Sequence, residues 1–384
     1  MDLDTFFVPV SKEEIADGRP FQPDEWGTQL KVHDNGFPEL EGCTIALVGI
    51  RMTEEEDPFS MQVRKWLYRL RRKSYAATML DAGDLLLDDD REKNCQSLGY
   101  VISELLLKNI MPVLIGGPQY LVYGQYLAFQ YMKEFANLVC FDNRFAFEPE
   151  EAGTITDENY LQRMTFSANP YIFNFSILGY QGYFVDAPAL EALEKLYFDH
   201  YRLGNVRADL KEIEPVIRAA DFMSFNVSAV RQSDSPAGIF PSPNGFTGEE
   251  ACALARYAGL SDSLRCISFG GVDLLHKNRQ QTAHLLAQMI WYFADGTLNH
   301  IREEPISGDP GFTRFITTIH KEACEIIFYK SNRTGRWWME IPLDNHNNRE
   351  LPNKHVIPCT YTDYQHACND EMPERWWQTF KKLN

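Results

Sequence analysis

The chain is poor in positive charge. Its 384 residues carry 37 Lys and Arg against 54 Asp and Glu, a formal net charge of −17. Proteins that bind phosphate backbones cluster Lys and Arg to release counterions, so nucleic acid and anionic membrane surfaces are excluded as partners. No run of eighteen apolar residues occurs, so no membrane insertion is expected. The first residues, MDLDTFFVPVSKEEIADG, have acids where a signal peptide needs positive charge and then an apolar stretch, which predicts a cytoplasmic protein.

Cysteine pairs of the CxxC type are also missing. The eight cysteines (Cys43, Cys95, Cys140, Cys252, Cys266, Cys324, Cys359 and Cys368) stand singly, several inside apolar runs such as NLVCF and LRCISF. They read as reduced, buried small hydrophobes. His355, Cys359, His366 and Cys368 near the end match no zinc finger or ribbon spacing. No nucleophile elbow, P-loop or Ser-His-Asp order supplies ready chemistry, and no internal repeat or low-complexity tract appears.

With 44% apolar and 24% charged residues, there is material for one large α/β domain with an addition. Apolar runs at 44–50, 111–117, 137–142, 171–180, 221–230 and 265–271 alternate with amphipathic stretches at 59–73, 91–109, 120–134, 186–199, 247–258 and 280–294. Strands alternating with helices of that length predict βαβ units, a mainly parallel sheet covered on both faces, and ligands beyond the carboxyl ends of the strands. The pattern changes near residue 310 to short alternating strands and a Trp-rich tail. This divides the chain into an α/β domain (1–310) and a C-terminal extension (311–384). Trp337, Trp338, Trp376 and Trp377 fall in the extension, either packed back on the core or offered to a protein partner.

Three further stretches carry expectations. DAGDLLLDDD (81–90) reads as a solvated loop with a helix-capping Asp. RKWLYRLRRK (64–73) reads as a helix whose apolar side covers the sheet while its charges face water. SPAGIFPSPNGFTGEEAC (235–252) reads as a long ordered loop followed by a capping box on Thr247 and Glu250.

The run VLIGGPQYLVYG (113–124) ends a strand in Gly-Gly and feeds a helix, as an active-site loop does, yet offers no strong base or metal ligand. That Gly-Gly loop, an Asp ending the next strand, a later Ser-Phe-x-Val-x-Ala strand and the helix QTAHLLAQMIWYF occur in series over roughly residues 40–300. Together they resemble the ureohydrolase family of arginase, agmatinase and formiminoglutamase, and formiminoglutamase-like proteins most of all. The resemblance implies a three-layer α/β/α sandwich in which two manganese ions, held by six side chains, activate a hydroxide against a guanidine-type carbon. Trimers or hexamers are common among such proteins, which leaves an oligomer open here.

Carried onto this chain, the family's ligand pattern is degenerate. After Gly116 and Gly117, Pro118 and Gln119 stand in place of Asp and the ligand His. In FDNRFAF, Asp142 keeps the first carboxylate, but Arg144 replaces the His and Ala146 the second Asp. In SFNVSAVRQ, Asn226 and Ser228 replace both Asp ligands, and Arg231 stands where a supporting Asp follows. A late family Glu falls near Gly271, with Asp273 close by. A guanidinium at a ligand position repels cations, so no manganese is expected and no residue is assigned a catalytic role. Asp142 is expected to ion-pair with Arg144, with its pKa depressed. The guanidinium would then fill vacated metal volume and donate to Asp142, Asn226 or Gln119.

The implied function is a catalytically inactive ureohydrolase-like protein working by protein interaction or ligand sensing. The alternative is a formiminoglutamase-like hydrolase of a linear C–N bond, with ligands supplied from elsewhere in the chain.

Overall fold

The computed structural model describes residues 3–53, 55–71, 78–148, 153–167, 170–305, 308–320, 324–343 and 354–383. Among these, ten strands form the main sheet: β1 (Phe7–Val8), β2 (Lys31–Val32), β3 (Cys43–Met52), β4 (Thr78–Leu87), β5 (Met111–Ile115), β6 (Ala136–Phe141), β7 (Ile172–Tyr180), β8 (Asp199–Arg202), β9 (Phe222–Asn226) and β10 (Cys266–Gly270). Their order across the sheet is β1-β4-β3-β5-β10-β9-β6-β7-β8, with β2 beside β4. Every pairing is parallel except the antiparallel contact of β1 with β4.

Period-two alternation divides the strand side chains between two faces. Ile45, Leu47, Val113, Ile115, Phe225 and Phe269 pack with helices Phe59–Leu67, Gly248–Gly259 and Arg279–Asn299. Ala46, Val48, Leu114, Leu138 and Cys140 pack on the other side with helices Arg91–Leu107 and Val122–Met132. The molecule is thus the expected three-layer α/β/α sandwich. Helix starts follow local chemistry. Asp90 caps Arg91–Leu107 by accepting from the Lys93 N–H, and Thr247 with Glu250 closes a capping box on Gly248–Gly259.

Two expectations are corrected. DAGDLLLDDD is not a solvated loop, because Asp81 through Leu87 belong to β4, paired to β3, and Asp81 and Asp84 are buried. Nor do all the charges of 64–71 face water. Arg64 is fully buried, with Nε 2.7 Å from Asp81 Oδ2 and Nη1 2.5 Å from Asp84 Oδ1, and it also donates to the Gly83 carbonyl. Tyr68 donates to Asp81 and Ser60 to Asp84. A strand can carry two carboxylates into the core only where a cation and hydroxyls satisfy them, and the neighbouring helix supplies all three. Trp66, by contrast, is half exposed and stacks on His284 at 4.0 Å. Arg72 and Lys73 lie outside the described residues.

A second sheet follows the first: β11 (Phe312–Ile319), β12 (Cys324–Ser331), β13 (Trp337–Pro342) and β14 (Lys354–Cys359), antiparallel in that order. It packs back against the helix Leu210–Arg218. The buried Arg218 donates to the Trp337 carbonyl, its guanidinium lies 4.4 Å from the Trp338 ring, and it pairs with Glu214. Of the two alternatives open for the tryptophans, burial places three in the brace. Trp337 stacks on Phe315 and Tyr364, Trp338 packs on Arg218, and Trp376 donates to the Glu340 carbonyl, each 7% exposed or less. Trp377, at 42%, is the exposed member of the set.

Removing Arg64 would strand Asp81 and Asp84 in the core. Arg64→Met should therefore lower unfolding free energy in urea by about 3–5 kcal/mol, and adding Asp81→Asn should recover part of that loss.

Candidate functional site

Strand order gathers three of the four motifs together with Gly271. β5, β10, β9 and β6 are consecutive neighbours, so Gly117, Gly271, Asn226 and Asp142, separated by up to 154 positions in the chain, meet at one carboxyl edge. Gly116 and Gly117 both adopt left-handed backbone, which turns the chain sharply after β5 so that the Gly117 carbonyl accepts from the Gly271 N–H at 3.0 Å. Gly271 is also left-handed, and a Cβ there would sit 2.1 Å from Asn226 Oδ1. The Asn226 carboxamide occupies the space that this glycine leaves.

The side chains at this edge are bonded to one another. Asn226 Nδ2 donates to Asp142 Oδ2 at 2.8 Å, while its Oδ1 accepts from the Ser228 N–H at 2.9 Å. The Asn143 N–H donates to Asp142 Oδ1 at 2.7 Å, and Asn143 Nδ2 donates to the Phe240 carbonyl. Ser228 Oγ accepts from the Phe240 N–H. Gln119 Nε2 turns to Ser224 Oγ at 2.8 Å, with the Tyr160 hydroxyl at 3.5 Å. Gln119, Asp142, Ala146, Asn226 and Ser228 are all buried.

The expected pairing of Asp142 with Arg144 does not form. No ion pair joins them within 4 Å among the described residues, and Arg144 Nε donates to Asn143 Oδ1 at 3.3 Å while its guanidinium lies 3.7 Å from the Phe240 ring centroid and 5.1 Å from that of Phe184. The Asp142 carboxyl is therefore not depressed but pushed up to about 6. Burial is the dominant cause, only partly offset by the Asn226 and Asn143 bonds. The Arg144 side chain bonds neither Asn226 nor Gln119. Arg231 pairs instead with Asp234 at 2.9 Å and shares no bond with the cluster.

Beside the cluster, over the ends of β3, β4, β5 and β10, lies a cleft of about 560 Å³. Its wall includes Met52, Asp88, Asp89, Arg91, Pro118, Tyr120, Asp157, Ile239 and Asp273, but none of Asp142, Arg144, Asn226 or Ser228. Asp157 Oδ1 accepts from the Tyr120 N–H at 2.7 Å, and Arg91 stacks over the Tyr120 ring. Pro118 thus borders an open cleft, while Gln119, Asp142, Asn226 and Ser228 are buried beside it.

No protein-family profile matches the chain. Over 192 aligned residues it is 26% identical to the formimidoylglutamase of Geobacillus thermodenitrificans, covering 47% of this chain and 58% of that one. The chain therefore spans less than two thirds of this curated relative. In fold it is similar to the formiminoglutamase of Trypanosoma cruzi solved with manganese, at TM-score 0.63 and 16% identity, covering 69% of this chain and 96% of that one. The formimidoylglutamase of Bacillus subtilis gives TM-score 0.60 and 19% identity over 67% and 88%. The chain is similar to the ureohydrolases in fold and over part of its sequence.

Whether this chain suits a manganese pair is a question about its donors. Among the six matching positions Asp142 alone carries a carboxylate, and both its oxygens already accept hydrogen bonds. Gln119 and Asn226 turn amide N–H groups toward neighbouring oxygens, Ala146 has no donor atom, and Arg144 is a cation. Among the described residues no three His, Cys, Asp or Glu are grouped as a metal needs. Hard divalent ions need several anionic oxygens or imidazoles, so this donor set does not fit the pair.

Sequence reasoning missed Asn143, Tyr160, Ser224 and Phe240 as members of the cluster. Asn143 lies in FDNRFAF, Ser224 opens SFNVSAVRQ and Phe240 lies in the ordered loop over 235–252, but nothing in those stretches marks the three as partners. Tyr160 has no signal until strand order brings it to the cluster.

A carboxyl held near 6 when folded and near 3.8 when unfolded stabilises the fold below the lower value, and this stabilisation is lost as pH rises through the upper one. Relative to Asp142→Asn, the wild-type chain should lose about 2 kcal/mol of unfolding free energy between pH 4 and pH 7, read from urea unfolding at each pH. A pH-independent difference would show that the carboxyl is not perturbed by burial.

Proposed function

We propose that this chain is a binding protein built on the ureohydrolase fold, with manganese-dependent hydrolysis lost and a small-molecule cleft retained. One observation carries the reading: the remaining carboxylate of the ligand set, Asp142, is buried and bonded to Asn226 and Asn143 rather than open to a metal. A hydrolase of this kind needs cations to lower the pKa of water and to stabilise the attack, and no other group near the cluster supplies an equivalent nucleophile.

The neighbouring cleft supports binding by its size, which is in the range of small-molecule sites, and by its position beyond the carboxyl ends of parallel strands. Asp88, Asp89, Asp157 and Asp273 on its wall, against Arg91 alone, favour a ligand with a cationic group. Burial of Trp337, Trp338 and Trp376 weighs against the tail as the docking surface for a protein partner. The hydrolase reading has no observation in its favour beyond kinship.

The test is turnover. With manganese added, the purified chain should hydrolyse formiminoglutamate, arginine and agmatine no faster than Asp142→Ala does. Manganese-dependent turnover that disappears in Asp142→Ala would overturn the proposal.

A further inference from the structure

Arg144 stands out at the carboxyl edge as a cation whose hydrogen-bonding fork is open. Its guanidinium lies over the Phe240 ring with the Phe184 ring nearby, and Nε is engaged by Asn143 Oδ1. Among the described residues neither Nη makes a hydrogen bond, and no carboxylate lies within 4 Å. Ring faces attract the charge but cannot accept N–H bonds in the guanidinium plane, so the in-plane donors keep their full demand for oxygen acceptors. The contact with Phe240 also fixes the fork's orientation, which reduces the ordering lost when a ligand binds.

The surroundings narrow the ligand. Phe184 is 39% exposed, and its ring neighbour Tyr183 is 65% exposed and accepts from Asn244, so an apolar shelf adjoins the fork. Asp142, Glu148 and Glu158 act on the Arg144 guanidinium through space, and Asp142 touches this residue only through the Arg144 backbone N–H. They oppose a multiply charged anion such as phosphate more than a single carboxylate, as does the net charge of −17. Half-burial weakens the hydration of the guanidinium, and its pKa is lowered for that reason first. A cation in that state gains from an oxyanion brought by a ligand.

We infer that Arg144, Phe184 and Phe240 form a recognition site for a small carboxylate with an apolar body, its two oxygens on the guanidinium fork and its body against the exposed rings. The position that matches a metal-ligand histidine in the ureohydrolases would thus have exchanged cation binding for anion binding. This site lies outside the cleft described above, so the inference rests only on the loss of hydrolysis at this edge and can fail separately from the reading of that cleft. Manganese-dependent turnover would overturn that loss, whereas absent carboxylate binding would overturn this site alone.

The experiment uses the full chain at low salt, with benzoate as probe and inorganic phosphate and putrescine as controls, read by saturation-transfer NMR and calorimetry. Benzoate should bind saturably and more tightly than phosphate, and putrescine should not displace it. Arg144→Lys, which keeps the charge but loses the planar fork, should weaken it by about tenfold, and Arg144→Met should abolish it. Near-UV circular dichroism establishes that each variant is folded. No saturable benzoate binding, binding unchanged in folded Arg144→Lys and Arg144→Met, tighter binding of phosphate, or displacement of benzoate by putrescine would each overturn the inference.

Discussion

The bond from Asn226 Nδ2 to Asp142 Oδ2 is the interaction around which the carboxyl edge of the sheet is arranged. It joins the ends of β9 and β6, and its other side, from the Ser228 N–H to Asn226 Oδ1, turns the chain after β9. The carboxamide that makes both bonds fits only because Gly271 has no side chain, and the turn at Gly271 is tied to Gly117. A carboxylate in that position would face Asp142 directly. Two buried like charges so close need cations between them, so an amide here and the absence of metal donors elsewhere are consistent with one another.

The chain handles buried charge in three ways. At Arg64 a cation meets two carboxylates and three further donors and acceptors, so the charge is matched by geometry. At Asp142 amides and backbone N–H groups take the place of a cation, and the carboxyl titrates near 6 instead. At Arg144 aromatic faces hold a cation with no counter-ion in contact. The first arrangement is structural. The second leaves a carboxyl whose oxygens are already taken by N–H donors, and the third leaves guanidinium donors without an acceptor among the described residues. Distinguishing them required distances, since all three appear in the sequence simply as charged residues in apolar surroundings.

Much of the architecture was legible because β-branched and aromatic runs such as ALVGI, PVLIGG and FMSFN are long enough to mark buried parallel strands. β4 was not, because Asp81 and Asp84 interrupt its pattern and their neutralising partner lies 17 residues away from Asp81 on another element. β8, with the polar sequence DHYR at the sheet edge, carries no apolar signal either. The site positions were legible through the Gly-Gly loop and the spacing of FDNRFAF and SFNVSAV. Their pairing was not. Asp142 and Arg144 are two apart, which suggests a shared face, but the strand ends at Phe141 and the chain bends there. Phe240, nearly a hundred residues later, then claims the guanidinium.

The central claim is that these six positions hold no manganese pair, and a direct titration of the metal tests it. Free Mn²⁺ has a strong electron paramagnetic resonance signal that is lost on tight binding, so adding the purified chain to Mn²⁺ at neutral pH counts bound ions. The account predicts a signal undiminished by stoichiometric protein and the same in Asp142→Ala. Loss of signal equivalent to two ions per chain, abolished by Asp142→Ala, would contradict it.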